Sequence, residues 1–244
     1  MVACATARAA DAPLVAAAAD LQFALQEVAD AYARETQGAL RLTFGSSGNF
    51  ARQIEQGAPF EIFFSADETF VARLHAKALT RGAGALYAVG RIALFIPQGS
   101  PLKADAGLEG LVQLLSKHAP FKFAIANPEH APYGRAARQV LERAQLWRAL
   151  RPHLVLGENA AQAAQFAATD GVVGGIIAYS LALTPQMQAR GAYALLPQDA
   201  HEPLRQRMAL LKNASPAAER FYRYAQSSEA RAILRRHGFE SPEE

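Results

Sequence analysis

The sequence of 244 residues has a single cysteine, Cys4, and no apolar run of the ~18 residues needed to cross a bilayer. No disulfide can therefore form within the chain, and cysteine usage does not report a redox compartment. Gly-x-Ser-x-Gly, Walker and Gly-x-Gly-x-x-Gly motifs are missing, and the six histidines show no metal-ligand spacing. We expect no metal site and no cofactor.

The chain also lacks a large net charge, since 25 Lys and Arg residues are nearly balanced by 22 Asp and Glu residues. No block of basic residues and no aromatic-basic stripe is present, so we expect no nucleic-acid partner. Half of the residues are apolar and 19% are charged, the balance of a globular protein with a substantial core. The length fits one large domain or two domains of about 120 residues each.

The first twelve residues are rich in alanine and include Ala7-Arg8-Ala9, the A-x-A form of a signal-peptidase site. No apolar segment of the usual length precedes it. We interpret residues 1–12 as the tail of an export signal, with an alanine-rich disordered terminus as the alternative.

Three strand-then-helix units follow one another in the first third of the chain. Apolar strands at 14–18, 40–44 and 60–65 each lead into a segment with helical spacing of apolar residues. Such repetition predicts a parallel sheet with right-handed crossovers. After a strand at 91–97 the alternation starts again, with strands predicted at 121–126, 153–156, 172–177, 193–197 and 207–211.

The chain is organised around residues 44–55, FGSSGNFARQIE, which read as strand, glycine turn and helix. Ser46 or Ser47 suits the N-cap, and the first N–H groups of a helix, at the positive end of its dipole, form an anion site. The segment 132–134, Pro-Tyr-Gly, opens a second helix of the same kind.

Ligands of open parallel sheets bind outside the carboxyl ends of the strands. Here those ends carry small, hydroxyl or amide residues and no lysine or arginine. We therefore expect a cleft that offers hydrogen-bond donors with little formal charge. Catalysis by Ser46 or Ser47 would need a base that the sequence does not identify, and a pair of acids such as Asp20 and Glu158 would need a geometry that it does not show.

Five segments together resemble the molybdate-binding solute-binding proteins of ABC importers, which have the type II periplasmic binding protein fold. They are FGSSG at 44–48, ARQIEQGAP at 51–59, FSAD at 64–67, NPEHAPYG at 127–134 and GEN at 157–159. The resemblance spans nearly the whole chain. It implies two α/β domains with mainly parallel sheets and a ligand cleft between them, formed by residues 13–89 with 201–240 and by residues 90–200.

The same resemblance implies a periplasmic, monomeric protein, not an enzyme, that binds molybdate or tungstate and delivers it to a membrane permease. Hinges are expected near 88–90 and 197–203. The residues that correspond to the ligand contacts of the family are Ala19, Asp20, Ser46, Ser47, Tyr133, Ala160 and Tyr179.

Two of these positions depart from the family pattern. Ala19 lacks the usual hydroxyl, and Tyr179 lies one place off the simplest alignment. The carboxylate of Asp20 would repel an anion, so we expect its side chain to turn back and cap its own helix, with only the N–H group in the site. Alternatives are another anion such as sulfate or a small organic acid, a serine-dependent hydrolase or transferase, and a ligand-sensing regulatory domain.

Overall fold

A computed structural model describes residues 12–242, so the predicted export-signal tail lies outside the described residues except for Ala12. Within this range no helix combines the length and apolar character that a membrane crossing requires.

The strands are β1 Leu14–Ala18, β2 Arg41–Gly45, β3 Ile62–Ser65, β4 Ala85–Gly90, β5 Ile92–Pro97, β6 Phe123–Ala126, β7 Leu154–Gly157, β8 Gly174–Ala178, β9 Gly191–Leu195 and β10 Leu204–Leu210.

The helices are α1 Gln22–Thr36, α2 Ser47–Glu55, α3 Glu68–Ala76, α4 Glu109–Ser116, α5 Pro132–Arg143, α6 Trp147–Leu150, α7 Ala160–Ala167, α8 Tyr179–Ala182, α9 Pro185–Gln188, α10 Pro216–Tyr224 and α11 Ser228–Arg236. A 3-10 turn, Ala19–Leu21, joins β1 to α1.

The ten strands form two five-stranded sheets with the same topology. The first has the order β2-β1-β3-β10-β4 and the second the order β7-β6-β8-β5-β9. In each sheet the first three strands pair in parallel, and the fourth position holds a strand that is antiparallel to both of its neighbours. Four of the five strands in each sheet therefore point the same way, which confirms the predicted α/β class with mainly parallel sheets.

The reversed strands, β5 and β10, are the first strands that the chain forms after passing from one sheet to the other. One passage is a single residue, Arg91, between β4 and β5, and the other is the segment 196–203 between β9 and β10. Arg91 ties the passages together, because its guanidinium donates to the carbonyl of Leu196 at 3.1 Å and to Glu240 at 2.6 Å. Strand β4 was not predicted; residues 88–90 were interpreted only as a hinge.

Both faces of the first sheet are buried, as the alternation of side chains along a strand requires. Val15 and Ala17 pack under α1, α10 and α11, whereas Ala16 and Phe63 pack with residues of α2 and α3. The second sheet has one large core cluster, and Ala18 and Ala66 of the first domain belong to it. The two domains therefore pack against each other at the carboxyl ends of β1 and β3.

Candidate functional site

The strand ends that the sequence singled out converge between the two sheets. Ala18 and Ala66, which end β1 and follow β3, share a buried cluster with Tyr133 and Ala160 at the starts of α5 and α7. The turn Ala19–Leu21 contacts α7 and α8. The structure thus brings the turn Ala19–Leu21 of the first domain and Tyr133 and Ala160 of the second to one place.

The start of α2 is the first source of donors. Ser46 is its N-cap, because the Ser46 Oγ accepts a hydrogen bond from the N–H of Asn49 at 3.2 Å. The N–H of Gly48 donates to the carbonyl of His130 across the cleft at 3.0 Å. Among the first N–H groups of α2, that of Ser47 is left without a partner within residues 12–242.

The side chain of Ser47 is fully buried and oriented by the neighbouring strand end. Its Oγ accepts a hydrogen bond from the N–H of Ala66 at 3.0 Å. A hydroxyl group has one proton to give, so Ser47 can still donate to a ligand.

The starts of α5 and α7 supply further donors. Pro132 has no N–H, and those of Gly134 and Arg135 donate to the carbonyl of Ala131, which leaves the N–H of Tyr133. At α7 the cap Asn159 accepts from the N–H of Gln162 at 3.0 Å, and its carbonyl accepts from the N–H of Ala163, which leaves the N–H groups of Ala160 and Ala161.

The backbone comes close to a neighbouring carbonyl at two helix starts of the site, and glycine stands at both positions. A Cβ at Gly48 would lie 2.6 Å from the carbonyl oxygen of His130, and one at Gly134 would lie 2.2 Å from that of Ala126. The first contact joins the domains, and the second seats α5 on the end of β6.

Asp20 does not cap its helix, and that expectation was wrong. Neither the turn Ala19–Leu21 nor α1 has a side-chain cap. Instead the carboxylate is buried, and its Oδ2 accepts from the hydroxyl of Tyr133 at 2.9 Å and from Nε2 of Gln206 at 2.8 Å. Buried polar groups are usually hydrogen-bonded, and the donors to Asp20 come from Tyr133 of the second domain and Gln206 of the first.

The environment of Asp20 is neutral. Burial raises the pKa of Asp20 from its usual 3.8 to about 6, and the hydrogen bonds from Gln206 and Tyr133 offset only part of that rise. Burial, with the negative charge of Asp20, also holds the pKa of Tyr87 and of Tyr133 well above the usual value, so both phenols stay protonated.

Sequence reasoning missed the remaining members of this network. Gln206 also donates to the Tyr133 hydroxyl at 3.0 Å and accepts from the hydroxyl of Tyr87 at 2.7 Å. Ser180 donates to the carbonyl of Asp20 at 2.8 Å. A signal did exist for Gln206, since it stands at an inward-facing strand position between Leu204 and Met208.

Ala19 and Tyr179 contribute differently from the other predicted residues. Ala19 is buried and brings only a methyl group and its backbone to the site. The ring of Tyr179 packs edge-on against Tyr193, with centroids 5.6 Å apart, and against Gly238, while its N–H donates to the carbonyl of Arg91. No hydrogen bond among residues 12–242 links Tyr179 to Asp20 or to Ser47.

His130 lies at the edge of the cleft between two polar side chains. Its Nδ1 is 3.0 Å from the Oγ of Ser46, and its Nε2 is 3.4 Å from a carboxylate oxygen of Glu158. The Ser46 hydroxyl also lies 3.0 Å from the carbonyl of His130, so its single proton has a backbone acceptor. An ion pair between Arg135 and Asp67 joins the domains nearby. The cleft is closed by these contacts.

The family model described as bacterial extracellular solute-binding protein matches residues 13–240. This chain belongs to that family. The molybdate-binding protein ModA of Azotobacter vinelandii is 35% identical to this solute-binding protein over 92% of the chain and 88% of the relative, and ModA of Rhodobacter capsulatus is 32% identical over 93% and 87%.

The fold of this solute-binding protein is similar to a solved structure as well. The periplasmic molybdate-binding protein of Azotobacter vinelandii superposes with a TM-score of 0.85 at 28% identity, over 95% of this chain and all of that one. The two-domain architecture is therefore that of a periplasmic binding protein.

Proposed function

We propose that this protein binds molybdate or tungstate between its two domains and delivers the anion to the membrane permease of an ABC importer. The observation that carries the proposal is the convergence of helix starts whose N–H groups at Ser47, Tyr133 and Ala160 have no protein partner within residues 12–242. The choice of molybdate as the anion is supported by the relatives, which are named molybdate-binding proteins.

The donor set suits a tetrahedral oxyanion with two negative charges. A desolvated charge is stabilised when many hydrogen bonds point at it, and helix N-termini add the favourable end of their dipoles. In this proposal Ser47 gives its N–H and hydroxyl, Asp20, Tyr133 and Ala160 give N–H groups, and Ala19 lines the site without a hydroxyl. Ser46 holds the turn by capping α2.

Tyr179 has a different proposed role from the one implied by the family. Its ring packs on Tyr193 and Gly238, and the adjacent Ser180 fixes the turn at Asp20. We therefore propose that Tyr179 supports the second domain and that Ser180 takes the place nearest the ligand.

Binding would close two domains, residues 13–89 with 201–240 and residues 90–200, by bending at the two passages between the sheets. The contacts of Gly48 and Ser46 with His130 would form in the closed state only. We propose that the protein works in the periplasm as a monomer, with no catalytic role.

The experiment is calorimetric titration of the purified protein with molybdate, tungstate and sulfate. We expect saturable one-to-one binding of molybdate and tungstate at micromolar or lower concentration, with sulfate weaker because it is smaller. Absence of any heat or thermal-shift response to molybdate would end the assignment, and preferred binding of sulfate or a small organic acid would replace it with the other anion.

A second candidate function, a serine-dependent hydrolase or transferase, is suggested by the side chains of Ser46, His130 and Glu158, which contact one another in that order. Ser46 accepts the Asn49 N–H as a helix cap and is buried, which favours a structural role. Incubation with an activated ester followed by mass spectrometry tests it, since a covalent adduct on Ser46 or Ser47 would favour the enzyme.

A further inference from the structure

The carboxyl group of Asp20 is only half satisfied by the protein. Its Oδ2 accepts two hydrogen bonds, from Tyr133 and Gln206. Its Oδ1 is equally buried and has no hydrogen-bond partner among residues 12–242. A buried carboxyl oxygen without a partner is costly, so this atom indicates an interaction that is made only when something else occupies the site.

The groups that face this carboxyl from the surrounding elements carry no charge. Tyr133 on α5 and Gln206 on β10 donate to the carboxyl, Tyr87 on β4 donates to Gln206, and Ser180 on α8 donates to the backbone carbonyl of Asp20. The two phenols stay protonated because their pKa values are raised. No lysine, arginine or histidine of the described chain forms an ion pair with Asp20.

The turn that carries Asp20 also contacts α7, whose first N–H groups belong to the proposed anion site. The N–H groups of Asp20 and Leu21, at the start of the turn after β1, are close enough to lower the pKa of the carboxyl, although neither completes a hydrogen bond to Oδ1. An ionised Asp20 beside a doubly negative anion would be repelled in a medium of low polarity. A protonated Asp20 would carry no charge and would offer an O–H donor.

We propose that Asp20 binds the oxyanion as a neutral carboxylic acid, so that each anion enters the site together with one proton held on Oδ1. This inference rests on the proposed binding of a dianion in the cleft. The proton comes from solvent; no bond of the anion is broken, and the protonated Oδ1 becomes a hydrogen-bond donor at the ligand.

The pH dependence follows from the ionisation of the unliganded protein. Burial holds the pKa of Asp20 at about 6 in the closed structure, and opening of the cleft to solvent would bring this pKa closer to its usual 3.8. At neutral pH the empty site is therefore mostly ionised and must take up a proton when the anion binds. The apparent Kd should therefore rise about tenfold for each pH unit above about 6, as long as the pKa in the complex stays higher than the working pH.

The test is titration with sodium molybdate at several pH values from 6.5 to 8.5, in pairs of buffers that differ in ionisation heat. We expect the wild-type protein to take up close to one proton per anion at pH 8. The variant Asp20→Asn, which imitates the neutral acid, should show a flat profile and bind about a hundredfold more tightly than wild type at pH 8.

Asp30→Asn is the matched control, because it removes the same charge from an exposed position on α1 and should follow the wild type. A flat wild-type profile without proton uptake, or weaker binding by Asp20→Asn at every pH, would overturn the inference. The proton count on the wild-type protein stands even if the variant folds poorly. Failure of all three proteins to bind molybdate at any pH would instead contradict the proposed function.

Discussion

The two domains are joined in two different ways, by an inner network and by outer contacts. The inner network consists of Asp20, Tyr87, Tyr133, Ser180 and Gln206, which are buried and linked by bonds of 2.7 to 3.0 Å. The outer contacts at the rim are the ion pair of Arg135 with Asp67 and the contact of His130 with Glu158.

The comparison indicates that the contacts with the most formal charge are not those that contribute most to stability. In the outer pairs one partner is well exposed, 46% for the Arg135 side chain and 64% for that of Glu158, so solvent screens the attraction. The inner network has one ionisable acid and four neutral partners, but it lies in a medium where each unmade bond is expensive. We therefore expect inner changes to matter most.

The largest effect is expected from the acid of the inner network. The folded-state pKa of Asp20, about 6, lies above its usual 3.8, so the folded protein binds more protons between these values and loses stability as pH rises from about 4 to 6. Asp20→Asn removes that loss and should raise the free energy of unfolding by about 3 kcal/mol at pH 8.

The measurement is chemical denaturation of the anion-free protein at pH 8 and at pH 4. The gain should be present at pH 8 and nearly absent at pH 4, where the wild-type acid is already neutral. An equal gain at both pH values would mean that shape, not charge, is the cause.

The second effect concerns the contact between the inner and outer regions, where α2 meets His130. In Gly48→Ala the new Cβ would lie 2.6 Å from the carbonyl of His130, a backbone atom that cannot move alone. Forcing that overlap should weaken anion binding by ~1 to 3 kcal/mol while leaving each domain folded.

Titration calorimetry and circular dichroism together check this expectation. Gly110→Ala is the control, since Gly110 also lies in a helix but no atom approaches its position closer than 3.4 Å. Unchanged affinity in Gly48→Ala would show that the ligand-bound state does not use this closed contact.

The third effect tests the hydroxyl of Ser47. Ser47→Ala should weaken anion binding by ~1 to 3 kcal/mol through the lost bond to a charged ligand. It should also lower stability, because the buried N–H of Ala66 loses its acceptor. Ser227→Ala removes a helix-capping hydroxyl at α11 and should leave the affinity alone. If Ser47→Ala keeps full affinity, backbone donors alone hold the anion.

The smallest effect is expected at the rim. Arg135→Gln removes an ion pair with Asp67 in which the Arg135 side chain is solvent-exposed, and it should change the free energy of unfolding by at most ~1 kcal/mol, less at high salt. Denaturation at low and high ionic strength measures it. A change in the free energy of unfolding larger than that of Asp20→Asn would reverse the comparison between the two regions.

Local patterns in the sequence predicted most of the scaffold. Period-2 and period-3.6 spacing gave strands and helices close to the observed ones, and Ser46 and Asp67 cap α2 and α3 as their types suggest. These features depend on residues a few positions apart, which the sequence shows directly. Strand β4 was missed because its partner β10 lies more than a hundred residues away along the chain.

The composition of the candidate site could also be predicted, but the partners of its side chains could not. Spacing and resemblance indicated Ser47, Tyr133 and Ala160; Tyr133 and Ala160 share a buried cluster with Ala66, whose N–H donates to Ser47. For Asp20 the local choice was a helix cap, whereas tertiary structure offered Tyr133 and Gln206, 113 and 186 residues away.

The sequence by itself determined the alternation of strands and helices and the helix starts that can bind an anion, because local backbone preferences decide both. Only the tertiary structure decided that Asp20, the one buried acid among residues 12–242, stands among neutral partners with one carboxyl oxygen unpaired. That outcome depends on how two sheets meet, and the free energy of a charge is set by everything that surrounds it in space.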